Sequence, residues 1–255
     1  MTRRPWLLIV ALLAAAGCGG KKTDLGGWLF PPSTGANLKR VAESPLPDER
    51  REAIEAVARD SSAIRTEPVV KVFCLVAEND QDPLVRAAAV RGLAQMDGEN
   101  VLETLGRAAT KDASQVVRHD AVQALGRRAQ PERADVLMAV LKGDPSADVR
   151  MEAAEALRRF KEKPVAESLV AAVEDHDVAV ARKVWESLRF MTGQDLPRET
   201  MAWTDYLASA ENPFERYGKP PAMPKGASQR SQFTKGIGDF FGGLFEKDPL
   251  EAELE

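Results

Sequence analysis

The sequence predicts an all-α protein, a right-handed α-solenoid of about five helical hairpins. Three observations carry that prediction. The motif Arg-x-x-Ala-x-x-x-Leu occurs at Arg86, Ala89, Leu93, at Arg118, Ala121, Leu125 and at Arg150, Ala153, Leu157, each copy 32 residues after the last. Degenerate copies flank these at Arg50, Ala53, Val57 and at Ala181, Val184, Leu188. No stretch alternates apolar and polar residues as a strand would. Self-similarity at this period marks a solenoid, whose units bury their apolar faces only by stacking on neighbours.

The chain opens with Arg3 and Arg4, an apolar run from Trp6 to Ala16, then Ala15-Ala16-Gly17-Cys18. A basic start, a short apolar core and small residues before a cleavage point make a secretory signal peptide over residues 1–17. The run falls short of the ~20 residues that span a bilayer. Cys18 after Ala-Ala-Gly resembles the lipobox of bacterial lipoproteins, with Ala15 where Leu is usual. The resemblance implies cleavage between Gly17 and Cys18 and acylation of Cys18, which anchors the chain to a membrane at the periplasmic or outer side of the bacterial cell envelope. Gly19 stands where an Asp would retain some lipoproteins at the inner membrane, so the outer membrane is favoured. Several acyl chains hold far more firmly than one. Loss of Arg3 and Arg4 takes the formal charge from −4 to −6, which gives no electrostatic footprint for nucleic acid.

Residues 18–36 read as a tether, with an apolar knot at Gly26-Gly27-Trp28-Leu29-Phe30-Pro31-Pro32 that reads as a cap on the first helix pair or as a membrane-proximal contact. Ala36–Glu43 reads as a short helix, the second half of an incomplete unit, and Asp48–Arg59 begins the first full one. The repeat body runs over 37–208. Its units open at Asp82-Pro83, Asp112-Ala113, Asp144-Pro145 and Asp175-His176, where a carboxylate accepts orphan amide protons and Pro pre-sets the first turn. Val85, Ala89 and Leu93 then share one helix face, as do Val117, Ala121, Leu125 and Val149, Ala153, Leu157. A short turn leads to a second helix carrying Leu105, Leu137 or Leu169 and, four residues on, Ala109, Leu141 or Val173.

This pattern resembles the HEAT repeat family, in its short variant named after the phycobilin lyases, whose members carry Asp-x-x-Val-Arg-x-x-Ala-x-x-Ala-Leu-Gly. The residues that carry it are Asp82, Val85, Arg86, Ala89, Leu93 and Val117, Arg118, Ala121, Leu125, Gly126. It implies that the repeated Arg pairs with loop Asp residues of its own or the adjoining unit, so that Asp82, Arg86, Asp112, Arg118, Asp144 and Arg150 form a structural ladder, with Asp148 also placed for it. Pairs of this kind fix register more than they add stability.

Chemistry-bearing residues are sparse. After acylation of Cys18 the remaining thiol is Cys74, in an apolar helix segment, which reads as an inert core residue. His119 and His176 read as exposed residues near helix starts. There is no His-Glu pair, so the di-iron site of deoxyhypusine hydroxylase, a HEAT-type enzyme, is not expected. No zinc pattern, phosphate loop or nucleophile elbow occurs. We expect no catalytic residues, no metal and no cofactor.

At the far end Trp185 and Trp203 are expected to pack together. A flexible tail is expected over 209–255, with Pro213, Pro220, Pro221 and Pro224 in a linker that carries Arg216, Lys219, Lys225, Arg230 and Lys235. Near 236–246, Ile237, Phe240, Phe241, Leu244 and Phe245 have helical spacing and read either as a short motif for docking on a partner or on anionic lipid headgroups, or as a segment that packs back on the solenoid. The expected function is a membrane-anchored, non-catalytic interaction scaffold or adaptor with an unknown protein partner. It would bind in a groove lined by second helices, at positions such as Glu103, Arg107, Arg133, Glu167 and Glu174. The alternatives are a lyase-like or pigment-binding HEAT enzyme and a purely structural envelope lipoprotein.

Overall fold

The computed structural model describes residues 33–127 and 131–220. Gly17, Cys18, the tether as far as residue 32, and the segment holding Ile237, Phe240, Phe241, Leu244 and Phe245 lie outside the described residues. Within them the chain forms eleven α-helices and one short 3-10 turn, Ala63–Arg65, with no strand. In order the helices are α1 Thr34–Glu43, α2 Pro47–Ala58, α3 Glu67–Asn79, α4 Pro83–Leu93, α5 Glu99–Lys111, α6 Gln115–Gly126, α7 Pro131–Gly143, α8 Ala147–Leu157, α9 Lys163–Ala171, α10 Val178–Thr192 and α11 Thr200–Ser209.

The starts of these helices are written in the sequence. Pro occupies one of the first two positions of α2, α3, α4 and α9, where its fixed φ suits the first turn and no amide proton is missed. Asp82 caps α4 by accepting from the amides of Leu84 and Val85, and Asp177 caps α10 through Ala179 and Val180. Gly193 ends α10 in the left-handed conformation, φ 65°, a position that Gly occupies at little cost.

The helices stack in two layers. The even-numbered helices α2, α4, α6, α8 and α10 pack serially on one another, and the odd-numbered helices α3, α5, α7, α9 and α11 form the second layer. The repeated Val, Ala and Leu of the even helices are fully buried, as are Leu105, Leu137 and Leu169 of the odd ones. Close stacking needs small residues. A Cβ on Gly126 would come within 2.5 Å of the Ala156 Cβ, so α6 and α8 approach as nearly as their backbones allow.

The tight hairpins are shifted by one helix from the expected frame. Each odd helix packs most extensively on the even helix that follows it, giving α1–α2, α3–α4, α5–α6, α7–α8 and α9–α10, with α11 closing the stack. The short turns at Asp80–Asp82 and Asp112–Ser114 join these pairs, and the longer turns after α4, α6 and α8 connect one hairpin to the next. Helix α1 is therefore the first half of a complete hairpin. A further expectation changes. Residues 212–219, read as linker, fold back on the body: Phe214 and Tyr217 pack against the core, and the Gly218 amide donates to the Phe190 carbonyl at 2.9 Å. The Trp185 and Trp203 indoles donate to neighbouring carbonyls, those of Leu196 and Pro197, at 2.7 and 2.8 Å.

Candidate interaction surface

One edge of the stack is closed by a ladder of arginines and aspartates. Arg50 makes a two-pronged pair with Asp80, Arg86 with Asp112 and Arg118 with Asp144, all at 2.8–3.0 Å, and Arg150 pairs with Asp175 at 2.9 and 3.1 Å. Each Arg comes from an even helix, and each Asp from the hairpin turn of the next unit. The remaining guanidinium nitrogen donates to the carbonyl six residues upstream, that of Ser44, Asp80, Asp112 or Asp144. A single side chain thus ties its own turn to the next one. Each Asp also accepts from the amide two residues on, at Asp82, Ser114, Ser146 or Asp177, which fixes the turn.

Asp82 is not a rung. Its carboxylate is committed to the first amides of α4, and the carboxylate facing Arg50 is that of Asp80. Asp148 lies off the ladder as well, accepting from the Gln115 side chain at 2.9 Å. Asp175 is a rung that the motif reading passed over. Ser44 supplies only a carbonyl at one end, and Ala181 stands in place of an Arg at the other, so the ladder stops where the stack does.

The rungs are shielded: the side chains of Arg118 and Asp144 are 10% and 4% exposed. Burial pushes the Asp80, Asp112 and Asp175 carboxyls up. Hydrogen bonds from Arg50, Arg86 and Arg150, amide donors and nearby positive charge together outweigh it, so all three titrate below the ordinary carboxylate range. Hydrogen bonding to their carboxylates raises Arg50, Arg86 and Arg118 against a smaller opposing effect of burial.

The two helix faces carry grooves. On the odd face, between α3 and α5, Val70, Cys74 and Leu75 meet Glu78, Glu103 and Arg107 around a cleft of 320 Å³. Cys74 is half-buried in its wall, not a core residue, and burial raises its thiol. Arg107 pairs with Glu78, which also accepts from Thr104. Of the other expected contact residues, Arg133 is buried and donates to the Ala124 carbonyl, and Glu174 caps α11 by accepting the Thr200 amide at 2.8 Å. Glu167 is exposed. On the even face, α6, α8 and α10 enclose a groove of 440 Å³ lined by Val116, His119, Asp148, Met151, Glu152 and Lys183, among others. His119 lies 3.7 Å from Glu152, and the exposed His176 lies 3.3 Å from Asp175. Among the described residues no cluster of three or more His, Cys, Asp or Glu could hold a metal, and no helix is long and apolar enough to cross a membrane.

Serial hairpins, a ladder along one edge and two open helix faces define a helical-repeat α-solenoid. The profile described as HEAT repeats matches residues 34–126, 70–158 and 134–217. The chain belongs to the HEAT repeat family. Each matched span starts in or just before an odd helix, in agreement with the hairpin frame seen here. Among solved structures it is similar to the complex of CpcE and CpcF of phycocyanin lyase from Nostoc sp. PCC7120, with 19% identity over 61% of this chain and 99% of that one, TM-score 0.47. Two designed armadillo repeat proteins are similar as well. YIII(Dq)4CqI shows 16% identity over 71% of this chain and 94% of its own, TM-score 0.46. YIII(Dq.V1)4CPAF in complex with peptide (KR)4 shows 15% identity over 70% and 89%, TM-score 0.47. No curated protein gives a significant match.

Proposed function

We propose that the protein is a non-catalytic, protein-binding scaffold of the bacterial cell envelope, held to a membrane by lipid at Cys18. The observation that carries this reading is the division of labour among its polar groups. The ladder consumes the buried charges along one edge, and the even and odd faces are left as grooves bordered by apolar and charged side chains. A stack of this kind presents a long surface for one partner to cross. The basic start, apolar run and Cys18 support export and anchoring.

Proximity labelling from the mature protein in its native envelope tests the proposal. A scaffold returns one or a few dominant partners, and Cys18→Ala moves the protein out of the membrane fraction. Diffuse labelling with no dominant partner would favour a purely structural envelope protein. Purified protein carrying a covalent bilin would favour a lyase-like or pigment-binding role.

A further inference from the structure

The edge opposite the ladder carries a cationic corner, where the turn after α8 meets the end of α10 and the folded-back residues 212–219. Phe190 and Tyr217 form its centre, edge-on with ring centroids 5.1 Å apart. The Arg158 guanidinium lies 4.6 Å from the Phe190 ring centre, and the Lys161 ammonium 4.2 Å from that of Tyr217. Arg159 donates to the Gly126 carbonyl at 2.9 Å, which brings the end of α6 into the same corner. Burial raises the Tyr217 hydroxyl, and the positive charge of Arg158 and Arg159 acts against that rise. The returning chain is tightly seated, since a Cβ on Gly193 would come within 2.4 Å of the Arg216 Cβ.

Cations outnumber carboxylates here. Elsewhere arginines are matched, in the four rungs and in pairs such as Arg91–Asp120 and Arg182–Glu186. At the corner Arg159, Lys161, Lys163, Arg216 and Lys219 have no ion pair among the described residues, and all but Arg216 are exposed. Of the carboxylates around them, Glu155 is bridged to Arg158 and Lys183, and Asp195 is held by Arg189. Glu162 and Glu215 remain as the local counter-charges. Seating a cation over an aromatic ring also orders its long side chain before a ligand arrives, which lowers the cost of binding. Guanidinium forks match carboxylates in a two-pronged geometry.

We propose, resting on the reading of the solenoid as an interaction scaffold, that this corner binds a short acidic segment of a protein partner. Its Asp or Glu carboxylates meet Arg159, Lys161 and Lys163, and one flank rests on the half-buried rings of Phe190 and Tyr217. A short segment fits better than an extended polyanion. Within a Debye length of ~8 Å it meets chiefly the unpaired cations. Nucleic acid or an anionic bilayer would also confront Asp195, Glu211 and Glu215 on the same corner of a net acidic chain. Each exposed pair contributes little alone, so the contact is reversible and depends on salt.

Fluorescence anisotropy of a labelled oligoglutamate peptide, titrated with the full chain, tests this. The peptide should bind, and more weakly as salt is raised. Arg159→Glu/Lys161→Glu should lower the affinity at least about fivefold. Lys161→Glu/Lys163→Glu should do the same while leaving the bond from Arg159 to Gly126 in place. Lys111→Glu/Lys142→Glu, on the ladder side, should stay within about twofold of the parent. No binding, no loss at the corner, or equal losses on both sides would overturn the proposal. So would adsorption of the Cys18→Ala chain to phosphatidylglycerol vesicles in preference to the peptide, lost in Lys161→Glu/Lys163→Glu, because the corner would then serve a membrane. Dominant partners recovered by proximity labelling would uphold the scaffold reading even if the peptide failed to bind, so the two failures are distinguishable.

Discussion

Asp80 and Asp82 stand two residues apart and do different work. Asp82 caps a helix, and Asp80 locks two hairpins together. Asp82→Ala should cost about 1 kcal/mol, the usual loss of an N-cap. Asp80→Ala should cost clearly more in a denaturant titration, because it strands the largely shielded Arg50. Equal costs would return Asp82 to the ladder. The sequence held the signal that separates them. Counting back 32 residues from Asp144 and Asp112 lands on Asp80, but the Asp82-Pro83 pair looked like the stronger turn mark. The rungs also set a pH dependence. The folded carboxyls of Asp80, Asp112 and Asp175 titrate below their unfolded values, so the unfolded chain binds protons first as pH falls. The stability they contribute is complete above the ordinary carboxylate pKa of about 4 and is lost as pH falls below it. Thermal melts from pH 7 to 2 should show Tm dropping chiefly under pH 4, and less so when Asp112 is Asn.

Element existence was legible because the helices carry 3.6-residue apolar spacing and Pro or Asp starts. Hairpin pairing was not, since a strict repeat looks the same in either frame and only packing chooses between them. The small residues of the even helices report the closest packing. Gly126→Val should destabilise by about 1–3 kcal/mol through overpacking against Ala156 of α8, and Gly106→Val, where a Cβ meets nothing nearer than 3.6 Å, should cost less. The fold-back of 212–219 was hidden by composition, because Pro213, Gly218 and Pro220 suggest a linker while Phe214 and Tyr217 supply the packing. Tyr217 contacts Phe190 edge-on, and the Lys161 ammonium lies 4.2 Å from its ring centre. Tyr217→Ala should therefore raise amide exchange in α10 and α11 and leave α2–α6 unchanged. Protection that falls uniformly would contradict a local clasp.

At the scale of the whole molecule, stability is a sum of hairpins and the interfaces between them. Outward-facing grooves were poorly legible, since their residues follow no repeat and Arg133, which reads as a surface charge, is buried. The ladder makes the interfaces specific, and its central rung joins α6 to the turn before α8. A double-mutant cycle on Arg118 and Asp144, read by denaturant unfolding, tests the serial stack most directly. Each single change to Ala should cost about 3–5 kcal/mol by leaving a buried charge alone. The double variant should cost much less than the sum, with a coupling of at least about 1.5 kcal/mol. Additive losses would mean that Arg118 and Asp144 do not meet across consecutive hairpins, and the stack described here would be wrong.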